Sequence, residues 1–171
     1  MKRVPADGML HPVALAAVGV LVLNDHALKG AGVVPGMVTG KLSDFAGLAF
    51  FPLLLVAGVE LLRAALGRPW GPAGADVVAA VLLTGIVFAC IQLDPTAAEL
   101  YRRVWGGLRW ALFDLGWWPP GAPARPVRHV MDPTDLVALT ALLVPLGLGL
   151  QRAPPPRLSA SRRAPSPTAP P

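Results

Sequence analysis

The sequence predicts an all-α integral membrane protein: a four-helix bundle with one interfacial amphipathic helix and a disordered C-terminal tail. Three observations lead there. The chain is 54% hydrophobic and only 15% charged, against roughly 25% charge in soluble domains. Its apolar residues gather into four runs, about 9–28, 42–66, 77–93 and 134–150, parted by Gly, Pro and charged residues. Between the third and fourth runs, about 95–116, apolar residues recur at helical spacing on one face only. Residues 1–151 therefore form one transmembrane domain and 152–171 a separate tail.

The first run is long enough, at about 1.5 Å per residue, to reach roughly 30 Å, the thickness of a bilayer core. Its central part, 13–23, also suits the apolar region of a signal peptide. Asp25, His26 and Lys29 nevertheless stand where small residues would precede a cleavage site, so the run is read as a retained span. A Gly-rich linker, 30–36, leads to the second run, where Thr39 or Ser43 can cap the helix and Pro52 can kink it without breaking it. Glu60 and Arg63, three apart near its far end, are placed to pair.

The third run follows a Pro/Gly return, with Asp76 as its expected cap. In 95–116, Leu100, Val104, Leu108 and Leu112 share one face, and Glu99, Arg102, Arg103 and Arg109 occupy the other. With Trp105 and Trp110, that pattern describes a helix lying in the membrane interface. Asp94-Pro95 supplies its cap and first residue, and Asp132-Pro133 does the same for the fourth run. Gly47, Gly58, Gly85 and Ala89 are the small residues through which the spans are expected to pack. The tail, rich in Pro, Ser and Arg, has too little apolar surface to fold.

Four crossings put both termini on one side and bring the end of span one, the start of span two, the end of span three and the start of span four to the other. Basic residues number 8 on the terminal side and 7 on the opposite one. The short loops are evenly matched and the long 94–132 segment counts for less, so the termini are placed in the cytoplasm of an inner-membrane, multi-pass protein. A net charge of +5 could signal nucleic acid, but the basic residues are scattered beside apolar runs, which points to headgroups. The single cysteine, Cys90, excludes a disulfide framework within the chain.

Ionisable groups at helix ends near hydrocarbon are costly and mark a candidate site. Here they are Asn24, Asp25, His26 and Lys29 on the first span, Lys41, Ser43 and Asp44 on the second, and Arg128, Asp132 and Asp135 before the fourth. Asp25 with Lys29 and Lys41 with Asp44 have the spacing of helical ion pairs, so a self-neutralised cluster is one reading. In the other, Lys29, Lys41 and Arg128 hold the phosphate of an anionic lipid headgroup, with Asn24, Asp25, Ser43 and Asp132 as further binding groups. His26, Asp44 or Asp135 would then move a proton. Asp44, Asp132 and Asp135 could share a divalent cation, although their spacing is diagnostic of no metal. No phosphate loop, nucleophile elbow or zinc-binding helix is present, and no cofactor is implied.

These same residues carry a resemblance. Lys41 and Phe45 in Gly40-Lys41-Leu42-Ser43-Asp44-Phe45 resemble the Asp-Lys-x-x-His-Phe opening of the second helix in VanZ-like membrane proteins. Arg128 with Asp135-Leu136-Val137-Ala138 resembles that family's Arg … Asp-x-x-Ala-Asn opening of the last helix, and Gln92 can stand for a Gln ending the third. Gly40, Asp44 and Leu139 depart from the pattern. The resemblance implies a small bacterial inner-membrane protein, in some members linked to glycopeptide-antibiotic resistance, with no settled reaction. Three functions follow from the sequence: a site binding or processing an anionic envelope lipid, a non-catalytic subunit recruiting a partner through its interfacial helix or tail, and an ion- or proton-coupled carrier. The last is disfavoured by span interiors holding few polar groups.

Overall fold

The computed structural model describes residues 4–28, 34–71, 73–114 and 125–153. Lys29 and the tail beyond 153 lie outside them, as do the last two residues of the expected interfacial helix. All regular structure among the described residues is helical, with no strand. Three helices are long and apolar enough to cross a membrane, and the first apolar helix is shorter, Pro12–Leu28.

A single 3-10 turn, Asp7–Leu10, precedes α1, Pro12–Leu23, which ends in a π turn, Asn24–Leu28. The sequence boundary at 9 is moved because His11 caps α1: its Nδ1 accepts the Val13 N–H at 3.2 Å, and Pro12 takes the first helical position. The Ala6 N–H donates to Glu60 at 2.9 Å, while Asn24 donates to the Thr39 carbonyl at 2.6 Å. Residues 6–24 therefore run antiparallel along α2 for nearly its whole length.

Helix α2, Gly36–Ala65, begins six residues before the expected start. Gly36 and Gly40, read from sequence as a turn and its edge, are helical, so Thr39 and Ser43 lie inside the helix and cap nothing. The Thr39 hydroxyl instead donates back to the Gly36 carbonyl at 3.1 Å. The helix continues through the fully buried Pro52. It stops where Gly67, at φ 65°, turns the chain and the Arg68 N–H caps the Arg63 carbonyl at 2.9 Å.

Helix α3, Gly74–Leu93, starts at Ala73, not at an Asp76 cap. Asp76 sits in its first turn and takes a two-pronged ion pair from Arg63, which removes Arg63 from the expected pairing with Glu60. Asp94 caps α4, Pro95–Arg109, by accepting the Ala97 N–H at 2.7 Å, as expected. A π turn, Trp110–Asp114, follows. The last apolar segment has two halves: a ten-residue 3-10 run, Pro133–Leu142, then α5, Leu143–Arg152.

The core lies between α2, α3 and the 3-10 run: Leu48, Phe88, Ala138 and Ala141, with Phe45, Ile91 and Leu142 packed around them. Close crossings are made by glycines other than most of those expected. A methyl on Gly149 would stand 2.7 Å from a Val77 methyl, and one on Gly85 would meet Leu142 at 2.9 Å, whereas Gly47 and Gly58 have nothing within 4 Å. The remaining apolar surface points outward. Only 28%, 17% and 28% of the most apolar windows of the three long helices is buried, a distribution suited to a hydrocarbon solvent.

The amphipathic reading of α4 is correct, but its apolar stripe is not its protein-facing side. Leu100, Val104 and Leu108 are exposed, and the helix docks through Ala98, Arg102 and Gly106. Gly106 lies so close to the Arg125 carbonyl that no side chain fits. Val127 and Arg102 exchange two hydrogen bonds beside it, at 3.1 and 3.3 Å. This contact lays residues 125–132 back across α4 toward the start of the last segment.

Candidate functional site

Four chain ends converge on one side of the bundle, and their polar groups form two connected networks. In the first, the Asn24 amide is completely buried and donates to the Thr39 carbonyl and to Ser43 Oγ, both at 2.6 Å. Ser43 donates in turn to Asp25 at 3.2 Å. The π turn makes this geometry possible, since its wider coil swings Asn24 against α2 at the point where α1 ends. Asn24 Oδ1 is buried and has no hydrogen-bond partner among the described residues.

The second network centres on Lys41, one and a half turns into α2. Its ammonium donates to Asp135 at 2.6 Å and to the Thr134 hydroxyl at 2.7 Å, and it lies 3.9 Å from Asp132. Asp132 caps the last segment through the Thr134 N–H at 2.9 Å and accepts the Thr134 hydroxyl at 2.7 Å. Those bonds, from the hydroxyl first and then the amide, together with Lys41, hold the Asp132 carboxyl below the usual carboxylate range. The Asp132 N–H donates to the buried Gln92 at 3.0 Å, which ties in the end of α3. His129 Nε2 bonds the Ile91 carbonyl at 2.9 Å, and its ring meets Tyr101 edge-on at 5.3 Å. The whole is a clasp joining α2, α3, α4 and the last segment.

The sequence-derived candidates thus separate into groups. Asn24, Asp25 and Ser43 share one network; Lys41, Asp132 and Asp135 share the other. Asp44 lies between them, on the wall of a cleft. His26 and Arg128 are exposed. Lys41 makes its direct contact across helices, with Asp135, while the charge of Asp44 on its own helix also acts on it. Asp132 and Asp135 are both turned toward that ammonium. Among the described residues no three His, Cys, Asp or Glu side chains could hold a metal ion. Lys29 lies outside the described residues.

The cleft opens between α1, α2, α3 and α4, with a volume of about 460 Å³. Leu48, Leu55, Leu83 and Phe88 form its deeper walls, Ser43 and Asp44 stand at its polar end, and Tyr101 and Trp105 of α4 close one side. Gly47 contributes bare backbone to the lining. Burial, and then the charge of Asp44, push the Tyr101 phenol up. Sequence reasoning missed Tyr101 and Thr134. Tyr101 is the chain's one tyrosine and follows Leu100 on the mixed edge of an amphipathic helix, a signal visible in hindsight, whereas nothing marks Thr134 beyond its place two residues after a cap.

A second polar group lies at the opposite end of the bundle, which the sequence left to a local pair. Arg63 meets Asp76, Arg152 meets Asp7, and the buried Glu60 takes the Ala6 N–H. A cavity of about 30 Å³, roughly one water molecule, lies beneath them between Pro52, Pro145 and Gly149. These contacts join residues 6–7 to α2 and to the end of α5, at the opposite end of the bundle from the polar end of the larger cleft. Comparison with family models, with curated proteins and with solved structures finds no match to the chain.

Proposed function

We propose that the chain is a four-span protein of the bacterial inner membrane, termini in the cytoplasm, that binds an envelope lipid at its polar face. The lipid's hydrocarbon chain would lie in the cleft and its headgroup at the polar end, with the phosphate of an anionic headgroup facing exposed Arg128 and the rim near Lys41. The observation that carries this reading is the cleft itself. Its volume falls within the roughly 300–1,000 Å³ of small-molecule sites, its walls are apolar, and its one polar end is the end where ionisable groups gather. Antiparallel packing of 6–24 along α2 supports a fourth crossing despite the shortness of α1. Residues that carry the VanZ-like resemblance meet in the fold, Lys41 with Asp135, while Gln92 accepts the Asp132 N–H.

On this reading the Lys41 clasp is scaffold and the cleft is the site. Gly47→Trp tests it. The new ring fills the cleft from α2, where nothing stands within 4 Å of the added Cβ, and helix propensity favours the change over glycine. Retention of envelope lipid by the purified protein in nanodiscs, read by mass spectrometry, is expected to fall at least about tenfold with helical content kept. Equal retention by the variant would remove the cleft from the proposal.

A further inference from the structure

Helix α2 gives the cleft its length. Ser43 lines the polar end and Leu55 the far end, and twelve residues of α-helix at about 1.5 Å each part them by roughly 18 Å. An extended hydrocarbon chain, with C–C bonds of about 1.52 Å opened to about 111°, advances roughly 1.25 Å per carbon, so about 14 carbons cover that distance. Volume gives an independent count. A methylene takes about the space of a water molecule in the liquid, roughly 30 Å³, so a cleft of about 460 Å³ holds about 15 of them. The two counts agree for a space one chain wide.

Hydrocarbon suits the lining along this run. Leu48, Phe51, Leu55, Leu83 and Phe88 are apolar. The Thr84 hydroxyl donates to the Ala80 carbonyl at 2.8 Å and Ser43 donates to Asp25. Edge-on packing of Phe51 against Trp105, at 6.3 Å, spaces α4 from α2 part-way along and keeps the cleft from closing. The side of the cleft is open: Phe51, Leu83 and Val87 border it and keep 36%, 55% and 45% of their surface exposed. A chain can therefore slide in sideways from a membrane without leaving hydrocarbon. Between cleft and bilayer the hydrophobic effect does not discriminate, and selection is left to packing. A chain too short leaves part of the space unfilled, and one too long must bend back or protrude.

We infer that the cleft measures chain length: it takes one acyl chain of a phospholipid, about 14 carbons long, with the methyl end at Leu55. The second chain stays in the bilayer outside Leu83 and Val87. The inference rests on the lipid-binding reading above and narrows it to a phospholipid whose chain has a defined length.

The test uses the full chain in nanodiscs built from an equimolar mixture of five phosphatidylglycerols, whose paired chains run from ten to eighteen carbons in steps of two. Lipid kept by the protein on transfer to detergent is compared by mass spectrometry, species by species, with the lipid of the same nanodiscs, so differences in bilayer partitioning cancel. Enrichment is expected to peak at fourteen carbons, at least about threefold above the ten- and eighteen-carbon species. Leu55→Ala, which deepens the cleft, is expected to move the peak to sixteen carbons or more, and Leu55→Trp, which shortens it, to twelve or fewer. The alanine variant carries the test alone if the bulkier ring does not fold. A flat profile, or a peak that Leu55→Ala leaves in place, overturns the length assignment; if Gly47→Trp still lowers total retention, the lipid cleft itself stands. If the protein keeps no lipid above the level of empty nanodiscs, both readings fall.

Discussion

Replacing Gly106 by alanine sets two effects of opposite sign against each other. In a free helix the change is stabilising by about 0.8–1.0 kcal/mol, because glycine loses the most backbone freedom on folding. In this protein the added methyl would stand 2.9 Å from the Arg125 carbonyl carbon and from Pro126 Cα, whereas ordinary contact begins at 3.4 Å. Both neighbours are backbone and the Arg125 carbonyl oxygen stands closer still, so residues 125–127 must retreat by more than about 0.5 Å, the difference between those two distances. A retreat of even about 0.5 Å carries the 3.1 Å Val127–Arg102 bond to about 3.6 Å and the 3.3 Å Arg102–Val127 bond to about 3.8 Å, beyond hydrogen-bonding range. Two bonds at about 1 kcal/mol each outweigh the helical gain, and the net expectation is a loss of about 1 kcal/mol. Hydrogen exchange reads this directly: the Val127 amide, protected in the wild type, becomes fast in Gly106→Ala while amides within α4 slow. A variant more stable than wild type, with Val127 still protected, would refute the docking of this loop on α4.

Two further outcomes probe the clasp. Lys41→Met and Asp135→Leu each strand one partner of a half-buried pair, so each alone is expected to destabilise more than the double variant does; additive effects in denaturant unfolding would mean the pair contributes no coupling. The Asp132 carboxyl is depressed in the folded protein, so its stabilisation is complete above the ordinary carboxylate value of about 3.9 and is lost as pH falls through the lower native value. Acidification below about pH 4 is therefore expected to loosen the start of the last segment. A near-UV circular dichroism titration should show the change, and it should flatten in Asp132→Ser, which keeps a cap without a charge; an identical titration in that variant would assign the transition elsewhere.

What the sequence made legible was whatever is decided within a few residues. Asp94-Pro95 and Asp132-Pro133 are local signals, since a side-chain oxygen accepts an N–H two or three residues on, and both caps are where the pattern placed them. The gathering of polar ends also follows from chain order alone, because antiparallel neighbours return to the same level. Features decided across helices were not legible. Arg63 and Glu60 fit a three-residue spacing, yet Arg63 turns to Asp76 because α3 returns beside it and Glu60 is taken by the Ala6 amide. The start of α2 was hidden by Gly36 and Gly40, whose low helix propensity is overridden when Asn24 and the last segment pack against that turn. The cleft, which depends on how far α4 stands from α2, has no counterpart in any periodicity.

The tight coil of Pro133–Leu142 changes the reach of the last apolar segment. A 3-10 run climbs about 2.0 Å per residue against about 1.5 Å in an α-helix. Ten residues of each therefore reach about 35 Å, some 5 Å farther than the same twenty residues wound uniformly as α-helix. That extra reach lets one short stretch of chain touch Lys41 at its beginning and Asp7 at its end. The tighter winding thus lets both polar ends of the bundle be fastened by one segment that is economical in residues.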